Sequence, residues 1–210
     1  MGRYERHMFR GNVMPEPLPD ACLDQIFRTA RTANGYLDKP VTTAQLHAIW
    51  ELMKMGPTSA NMLPARLVWC VSDEAKAKLA AYSLPKNGEK IVAAPVTVVI
   101  GMDLDFHEKL PELFPHDQTA QHWFPDPAQR EIHALRNSSM QGAYFIVAAR
   151  ALGLDTGPMS GFSNEAVDAA FFADQPRVRS NFISTLGYAD PATIFARSPR
   201  PEFDRFNTIA

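Results

Sequence analysis

Several groups of polar residues in this chain have side chains that could bind a phosphorylated heterocycle. Guanidinium groups match the geometry of phosphate oxygens, while amides, hydroxyls and an ammonium group can hydrogen-bond a polar ring. A glycine in a short turn lets the backbone approach a flat ring closely. Each group alone is ordinary loop surface, so this chemistry requires that the fold bring them together. The groups are Arg31 to Asn34, Thr58 to Asn61, Asn87 to Lys90, the turn Pro158 to Gly161, and the pair Arg197 and Arg200.

Other kinds of site have less support in the sequence. There is no Gly-x-Gly-x-x-Gly after a strand, no Walker loop and no Gly-x-Ser-x-Gly elbow. A metal site could be assembled from His and Asp side chains, but their spacing matches no established ligand pattern, so no metal is predicted. The residues concerned are Asp103, Asp105, His107, His116 and His122.

The loop from Gly56 to Arg66 joins two core elements. It follows an amphipathic helix and precedes a strand, and Gly56 can end the helix while Pro57 cannot continue it. Thr58, Ser59 and Asn61 place short polar groups on this stiff backbone. A plain helix-to-strand connection is the alternative interpretation.

Local signals predict the elements that must position these loops. Thr42 and Gln45 form a capping box, Ser72 caps a short helix, and Asp126-Pro127 opens a helix about 39 Å long that ends at Gly153. The expected helices are 20–30, 42–53, 72–80, 126–152 and one after Ser163. The expected strands are 67–71, 95–101, a short one before Gly157, and 178–188. We also expect a polar turn at 85–90 and an irregular, lid-like segment with a short helix at 103–126.

Composition limits the protein class. With 210 residues and 46% hydrophobic content the chain can form one substantial core. A net charge of −2 gives no reason to expect nucleic acid or an anionic membrane as partner, and no apolar run reaches the ~20 residues of a membrane span. Residues 1–20 lack an apolar signal region and predict an N-terminal arm, with one domain at 21–210. Cys22 and Cys70 could pair, but their apolar surroundings favour core thiols in a cytoplasmic protein.

The order of elements predicts the fold class. Strands and helices do not alternate regularly, so an α+β fold with a mixed, mainly antiparallel sheet between helical layers is expected.

The polar motifs resemble those of the nitroreductase family, FMN-dependent enzymes that build two flavin sites at the interface of an interlocked homodimer. Arg31-Thr32-Ala33-Asn34 resembles the family's Arg-x-Ser motif, whose arginine holds the FMN phosphate; Ala33 replaces the serine and could offer only its backbone. Pro57 to Pro64 resembles the family's Pro-Ser-Ser-x-Asn-x-Gln-Pro-Trp, which comes from the second subunit. The chain departs from that motif at Leu63 and Ala65.

The remaining motifs extend the resemblance over residues 25 to 205. Asn87 to Lys90 is similar to the Asn-x-x-Lys that addresses the pyrimidine edge of the flavin, and Pro158 to Phe162 to the Pro-x-x-Gly-Phe turn near N5. Arg197 and Arg200 resemble the basic pair that completes the phosphate site. The resemblance implies these cofactor-binding residues: Arg31, Thr32, Ala33, Asn34, Pro57, Thr58, Ser59, Asn61, Leu63, Asn87, Lys90, Pro158, Met159, Ser160, Gly161, Arg197 and Arg200.

The resemblance also implies a function. NADH or NADPH would reduce FMN at N5, and an acceptor would then take the hydride in a ping-pong cycle, so no residue is named as an obligatory acid or base. Within the family, the motifs most resemble the branch that reduces malonic semialdehyde (3-oxopropanoate) to 3-hydroxypropanoate. In that case Arg66 or Arg136 would bind the acceptor's carboxylate. The alternatives are a broad NAD(P)H nitro- or quinone reductase and a flavin-binding protein that does not turn over. The C-terminal extension would reach the partner subunit.

Overall fold

The computed structural model describes residues 15–210, so most of the predicted arm lies outside the described residues. Within this range no helix has both the length and the hydrophobicity needed to cross a membrane. The strands are β1 Ala65–Cys70, β2 Val96–Asp103, β3 Asp155–Met159 and β4 Val178–Gly187. The α-helices are α1 Asp20–Leu23, α2 Thr43–Met53, α3 Asp73–Ala81, α4 Pro85–Ala93, α5 Leu110–Leu113, α6 Pro127–Ala151, α7 Asn164–Phe171 and α8 Phe203–Phe206.

The four strands form one sheet in the order β1-β2-β4-β3, with every neighbouring pair antiparallel. Its register aligns Val68, Val99, Ile183 and Met159 in one row across the sheet. A parallel bridge between Thr32 and Thr156 adds the mixed character. The predicted central strand is confirmed, since the apolar run of β2 is buried on both faces.

Helices cover both faces of the sheet, which confirms the predicted α+β fold with helical layers. On one face, α2 and α6 bury Ile49, Met53 and Phe145 against β2. On the other face, α3, α4 and α7 bury Leu79, Ile91 and Val167 against the row that contains Val99.

Local capping fixes the helix starts that the sequence predicts. Thr42 and Gln45 form the capping box of α2, and Ser72 and Ser163 cap α3 and α7. At the start of α6, Asp126 accepts a hydrogen bond from the Ala128 amide at 3.0 Å. Gly153, with φ +76°, follows the end of this helix.

Three local predictions are wrong. Residues 85–90 form the first turns of α4 rather than a polar turn, because Pro85 suits a first helical position and Ile91 is buried against α3. Cys22 is exposed, whereas Cys70 is a buried thiol as predicted. Asp20 does not cap the first helix: it pairs with Arg28 at 2.7 Å, and the segment continues as a π-helical turn, Asp24–Arg28.

Residues 103–126 form short helical turns, as predicted. They contain α5 and two 3-10 turns, Phe106–Lys109 and Ala120–His122. Their side chains pack in a cluster of their own against the start of α6, so this segment is a small satellite of the main core. We call it the 103–126 segment; its action as a lid stays a prediction.

Candidate functional site

A cavity of about 270 Å³ brings four arginines together on one side of the molecule. Arg31 donates to the Phe195 carbonyl at 2.6 Å, and Arg197 donates to the Arg28 carbonyl at 2.7 Å. Within residues 15–210, none of the four pairs with a carboxylate. Four cations that form no ion pair within this range are chemically suited to a dianion such as a phosphate. We call this the arginine cavity; it is lined by Ala30, Arg31, Thr32, Asn34, Arg150, Phe195, Ala196, Arg197, Ser198 and Arg200.

Arg150 is the cavity residue that sequence reasoning missed. It lies in the last turn of α6, where a basic residue is typical of any helix end, so its position in the sequence carries no functional signal. Its Nη1 donates to the Ile26 carbonyl at 3.0 Å, while its Nε is buried without a hydrogen-bond partner. Burial lowers the pKa of Arg150, the charge of Asp155 raises it, and the charge of Arg197 lowers it, with a net lowering. An anion bound beside this guanidinium would raise the pKa again.

The segment Arg31–Asn34 is attached to the edge strand β3. The Ala33 amide donates to the Thr156 carbonyl at 3.0 Å, and Ala33 is buried. A Cβ at position 157 would lie 2.4 Å from Thr185 Oγ1 and 2.7 Å from the Ala33 carbonyl oxygen, so only glycine permits this approach. The backbone N–H of Ala33, which the resemblance offered to the ligand, is therefore used within the fold.

Side-chain hydrogen bonds connect three of the predicted groups. Lys90 donates to Asn34 Oδ1 at 2.8 Å, which joins α4 to the arginine cavity. Asn87 donates to the Gly161 carbonyl at 3.0 Å, so its amide nitrogen holds the turn that follows β3. Gly161 has no room for a side chain, because an added Cβ would lie 2.7 Å from Asn87 Nδ2. The predicted turn is partly strand: Pro158 and Met159 are the last residues of β3, with Pro158 exposed and Met159 half-buried against the core, and the exposed Ser160 follows them.

The group Pro57–Leu63 is held in a strained conformation against α6 and the 103–126 segment. The Ser59 amide donates to Asn137 Oδ1 at 2.9 Å, and Asn61 donates to the Leu113 carbonyl at 2.7 Å. The Leu63 amide donates to Thr58 Oγ1 at 3.2 Å. Ala60, Asn61 and Leu63 all have positive φ angles, 48°, 50° and 38°, which cost about 1 kcal/mol each for non-glycine residues.

This loop lies apart from the other predicted groups. It precedes β1, at one edge of the sheet, whereas Arg31–Asn34 and Pro158–Gly161 adjoin β3 at the other edge. Three strand spacings separate the two edges, about 14 Å. One chain therefore brings together the groups at 31–34, 87–90, 158–161 and 197–200, but not Thr58 to Leu63.

The two predicted substrate arginines have different surroundings. Arg66 pairs with Asp103 at 2.6 Å and also donates to the Leu63 and Ala65 carbonyls, so its guanidinium is held within the fold. Arg136 is exposed on α6, next to the Asn137 that fixes Ser59, and it makes no ion pair within the described chain.

The His and Asp residues considered for a metal do not converge. Across residues 15–210, no three His, Cys, Asp or Glu side chains are grouped as metal ligands would be. The predicted absence of a metal stays a prediction.

Comparison with known proteins gives consistent matches. A family model described as the nitroreductase family matches residues 28–188. A protein of Stenotrophomonas maltophilia strain K279a, provisionally named NADH dehydrogenase/NAD(P)H nitroreductase, is 57% identical over 198 residues, 94% of this chain and 100% of its own length. A protein of Caulobacter sp. strain K31 with the same name is 54% identical over 187 residues, 89% of this chain and 95% of its own.

Solved structures share the fold at low identity. A provisionally named nitroreductase of Bacillus subtilis has a TM-score of 0.80 and 21% identity, over 91% of this chain and 100% of its own. Another, of Exiguobacterium sibiricum, was solved in complex with FMN and has a TM-score of 0.76 and 20% identity, over 89% of this chain and 96% of its own. These two proteins have the same α+β architecture as this chain.

The attachment of Arg31–Asn34 to β3 can be tested with Gly157→Ala. The new methyl group would meet Thr185 Oγ1 and the Ala33 carbonyl, so we expect the free energy of unfolding to fall by about 1–3 kcal/mol in urea titrations. Hydrogen exchange at the Ala33 amide should also speed up. Ser160→Ala, an exposed change in the following turn, is the control. Unchanged exchange at Ala33 would contradict this account of the attachment.

Proposed function

This chain belongs to the nitroreductase family, and we propose that it transfers hydride from NADH or NADPH through FMN to malonic semialdehyde, as a homodimer. Family membership confirms the predicted enzyme class, an FMN-dependent oxidoreductase, and the predicted cofactors, FMN with NADH or NADPH. The site residues, the dimer and the acceptor are the proposed parts.

The arginine cavity is the observation that carries the proposed site. A flavin mononucleotide has one phosphate, and Arg31, Arg150, Arg197 and Arg200 supply guanidinium donors around a single cavity with no carboxylate of the described chain paired to them. The buried, unpartnered Nε of Arg150 is the kind of donor that a bound oxyanion satisfies. These residues therefore fit the cofactor's phosphate.

The groups beside this cavity fit the flat ring of the cofactor. Bound FMN supplies the hydride chemistry, and the protein supplies position and electrostatics. Lys90, held by Asn34 at 2.8 Å, would offset negative charge at a polar ring edge. Asn87 and Leu84 fill the space that a side chain at Gly161 would need, so only glycine lets them pack this closely against the turn. Asn87 positions this turn through the Gly161 carbonyl.

Two observations support a second copy of the chain as the partner. The strained Pro57–Leu63 loop lies about 14 Å or more from the other groups in one chain, and the family resemblance assigns this loop to the second subunit. In addition, α6 exposes Ile132, Leu135 and Met140 at helical spacing, an apolar stripe suited to another protein surface. The tail adds exposed Phe195, Phe203, Phe206 and Ile209.

Arg136 is the better candidate for the acceptor's carboxylate. Arg66 already neutralises Asp103, whereas Arg136 is exposed beside the residue that fixes the Ser59 loop. A carboxylate at this position would form a charge-assisted hydrogen bond with an otherwise unpaired guanidinium. The name of the relatives, NADH dehydrogenase/NAD(P)H nitroreductase, supports the rival function of a broad nitroreductase.

Flavin binding and reduction test the proposal. We expect the purified protein to be yellow and to bleach when NADH or NADPH is added without oxygen. Arg150→Gln should weaken FMN binding about tenfold or more, because a buried cation–phosphate contact is lost, as measured by flavin fluorescence titration. Arg179→Gln, which removes an arginine paired with Asp168 instead, is the matched control. A colourless protein would refute the proposed site, and a flavin that never bleaches would make the protein a carrier.

The dimer can be disrupted at the apolar stripe. Leu135→Arg places a charge on the proposed interface, so sedimentation should detect monomers that have lost most of their flavin, because each site would lack its second Pro57–Leu63 loop. Val71→Arg changes an equally exposed apolar residue outside the stripe and should leave the dimer intact. A wild-type protein that sediments as a flavin-loaded monomer would overturn the proposal.

The acceptor site can be tested with Arg136→Ala. We expect the ratio of kcat/KM for malonic semialdehyde to kcat/KM for an uncharged quinone to fall about tenfold, since only the semialdehyde has a carboxylate. Arg136→Lys should restore part of the loss. Equal changes for both acceptors would remove Arg136 from the carboxylate site and would favour the broad reductase.

A further inference from the structure

A second cavity, of about 310 Å³, lies outside the arginine cavity, between the start of α6 and the 103–126 segment. Its volume is far larger than the ~30 Å³ share of one water molecule. Its walls carry two imidazoles, a guanidinium and an amide, and it lies beside the N-terminus of the longest helix. We call it the His107 cavity; it is lined by His107, Glu108, Gln121, His122, Phe124, Pro125 and Arg130.

Two nitrogens of these lining residues are buried without any hydrogen-bond partner. They are Nδ1 of His107 and Nε of Arg130. The only hydrogen bond of the Arg130 guanidinium within the described chain runs from Nη1 to the Phe124 carbonyl, at 3.0 Å. Buried polar groups are almost always paired, so two such atoms in residues that line one cavity indicate missing hydrogen-bond partners.

The nearby carboxylates are already used. Asp103 pairs with Arg66 at 2.6 Å, and Asp105 pairs with Arg177 at 3.2 Å. Arg130 makes no ion pair within residues 15–210. Burial lowers the pKa of the His107 imidazole most and the charge of Arg130 lowers it further, while the charges of Asp105, Glu108 and Asp103 act to raise it. The positive charge of Arg130 is thus left without a protein partner, while exposed Glu108 is the one carboxylate that lines the cavity.

We propose that the His107 cavity binds a phosphoryl group. A phosphate offers several acceptor oxygens, which suit the Arg130 guanidinium, the imidazole N–H groups and the Gln121 amide together. Two sources have this chemistry: the 2′-phosphate of NADPH and free inorganic phosphate.

The position of the cavity favours the reductant as the source. Phe124, which lines the cavity, shares a hydrophobic cluster with Met62 of the Pro57–Leu63 loop. Asn61 of that loop also binds the Leu113 carbonyl in the 103–126 segment. The inference rests here on the proposed function, in which this loop completes the flavin site of the second copy. The far phosphate of a bound dinucleotide would then lie toward the His107 cavity.

The decisive variant is Arg130→Gln, made in the full-length flavin-loaded protein. Arg177→Gln is the matched control, because Arg177 pairs with Asp105. Flavin bleaching is measured against NADPH and NADH concentration. We expect the preference for NADPH over NADH to fall about tenfold in Arg130→Gln, and to stay unchanged in the control. Arg130→Lys should have an intermediate preference, which separates charge loss from a folding defect.

Direct titration with adenosine 2′,5′-bisphosphate and with inorganic phosphate completes the test. If wild-type protein binds both probes, Arg130→Gln loses this binding and the preference for NADPH over NADH falls, the cavity is assigned to NADPH. Phosphate binding that is lost without any change in preference assigns it to free phosphate. If neither probe binds and the preference is unchanged, the cavity holds only water and the inference is overturned. A flavin that neither nucleotide bleaches would refute the proposed function, while the phosphate titration would still decide the cavity.

Discussion

The attachment of Arg31–Asn34 to the edge of β3 is the contact on which the candidate site depends. One backbone hydrogen bond, from the Ala33 amide to the Thr156 carbonyl, holds the segment at the strand. Because β3 continues directly into Pro158–Gly161, the same strand positions both the basic segment and the glycine turn. Gly157 permits the close approach, since any Cβ there would collide with Ala33 and Thr185.

Ion pairing separates the structural arginines of the described chain from the candidate functional ones. Arg66 and Arg177 pair with aspartates at or just after the end of β2, and Arg179 pairs with Asp168 in α7. Within the described chain, the arginines of the two cavities donate only to backbone carbonyls and form no ion pair. A half-buried guanidinium without a paired carboxylate, such as that of Arg31, Arg130 or Arg150, is costly, and we propose that a bound phosphate would offset this cost. The same physical argument therefore applies to the arginine cavity and to the His107 cavity.

The Pro57–Leu63 loop is held by hydrogen bonds to α6 and to the 103–126 segment, at the edge of the sheet opposite to the other predicted groups. Ala60, Asn61 and Leu63 have positive φ angles there, and the loop is held by Asn137 and by the Gln141 side chain, which accepts from the Ala65 amide at 2.8 Å. Both residues project from α6, the helix that also exposes the apolar stripe. Backbone strain of this kind persists where the surrounding structure fixes the conformation. We propose that a loop whose conformation is fixed in this way contacts the second chain of the dimer.

The sequence by itself determined the features that depend on near neighbours. The capping box at Thr42 and the Asp126-Pro127 helix start involve residues within three positions of one another, so local chemistry fixes them. The sequence also indicated the motif residues and the central strand, and from these the fold class and most of the arginine cavity could be predicted.

Tertiary structure decided the rest. It made a helix of Pro85–Ala93, because burial of Ile91 against α3 outweighs a turn-like composition. It also selected which arginines meet a carboxylate and which do not: Arg66 is neutralised by Asp103, 37 positions away, and Arg150 joins the cavity from a helix end. Pairings over such separations are set by how layers pack, and no local pattern records them.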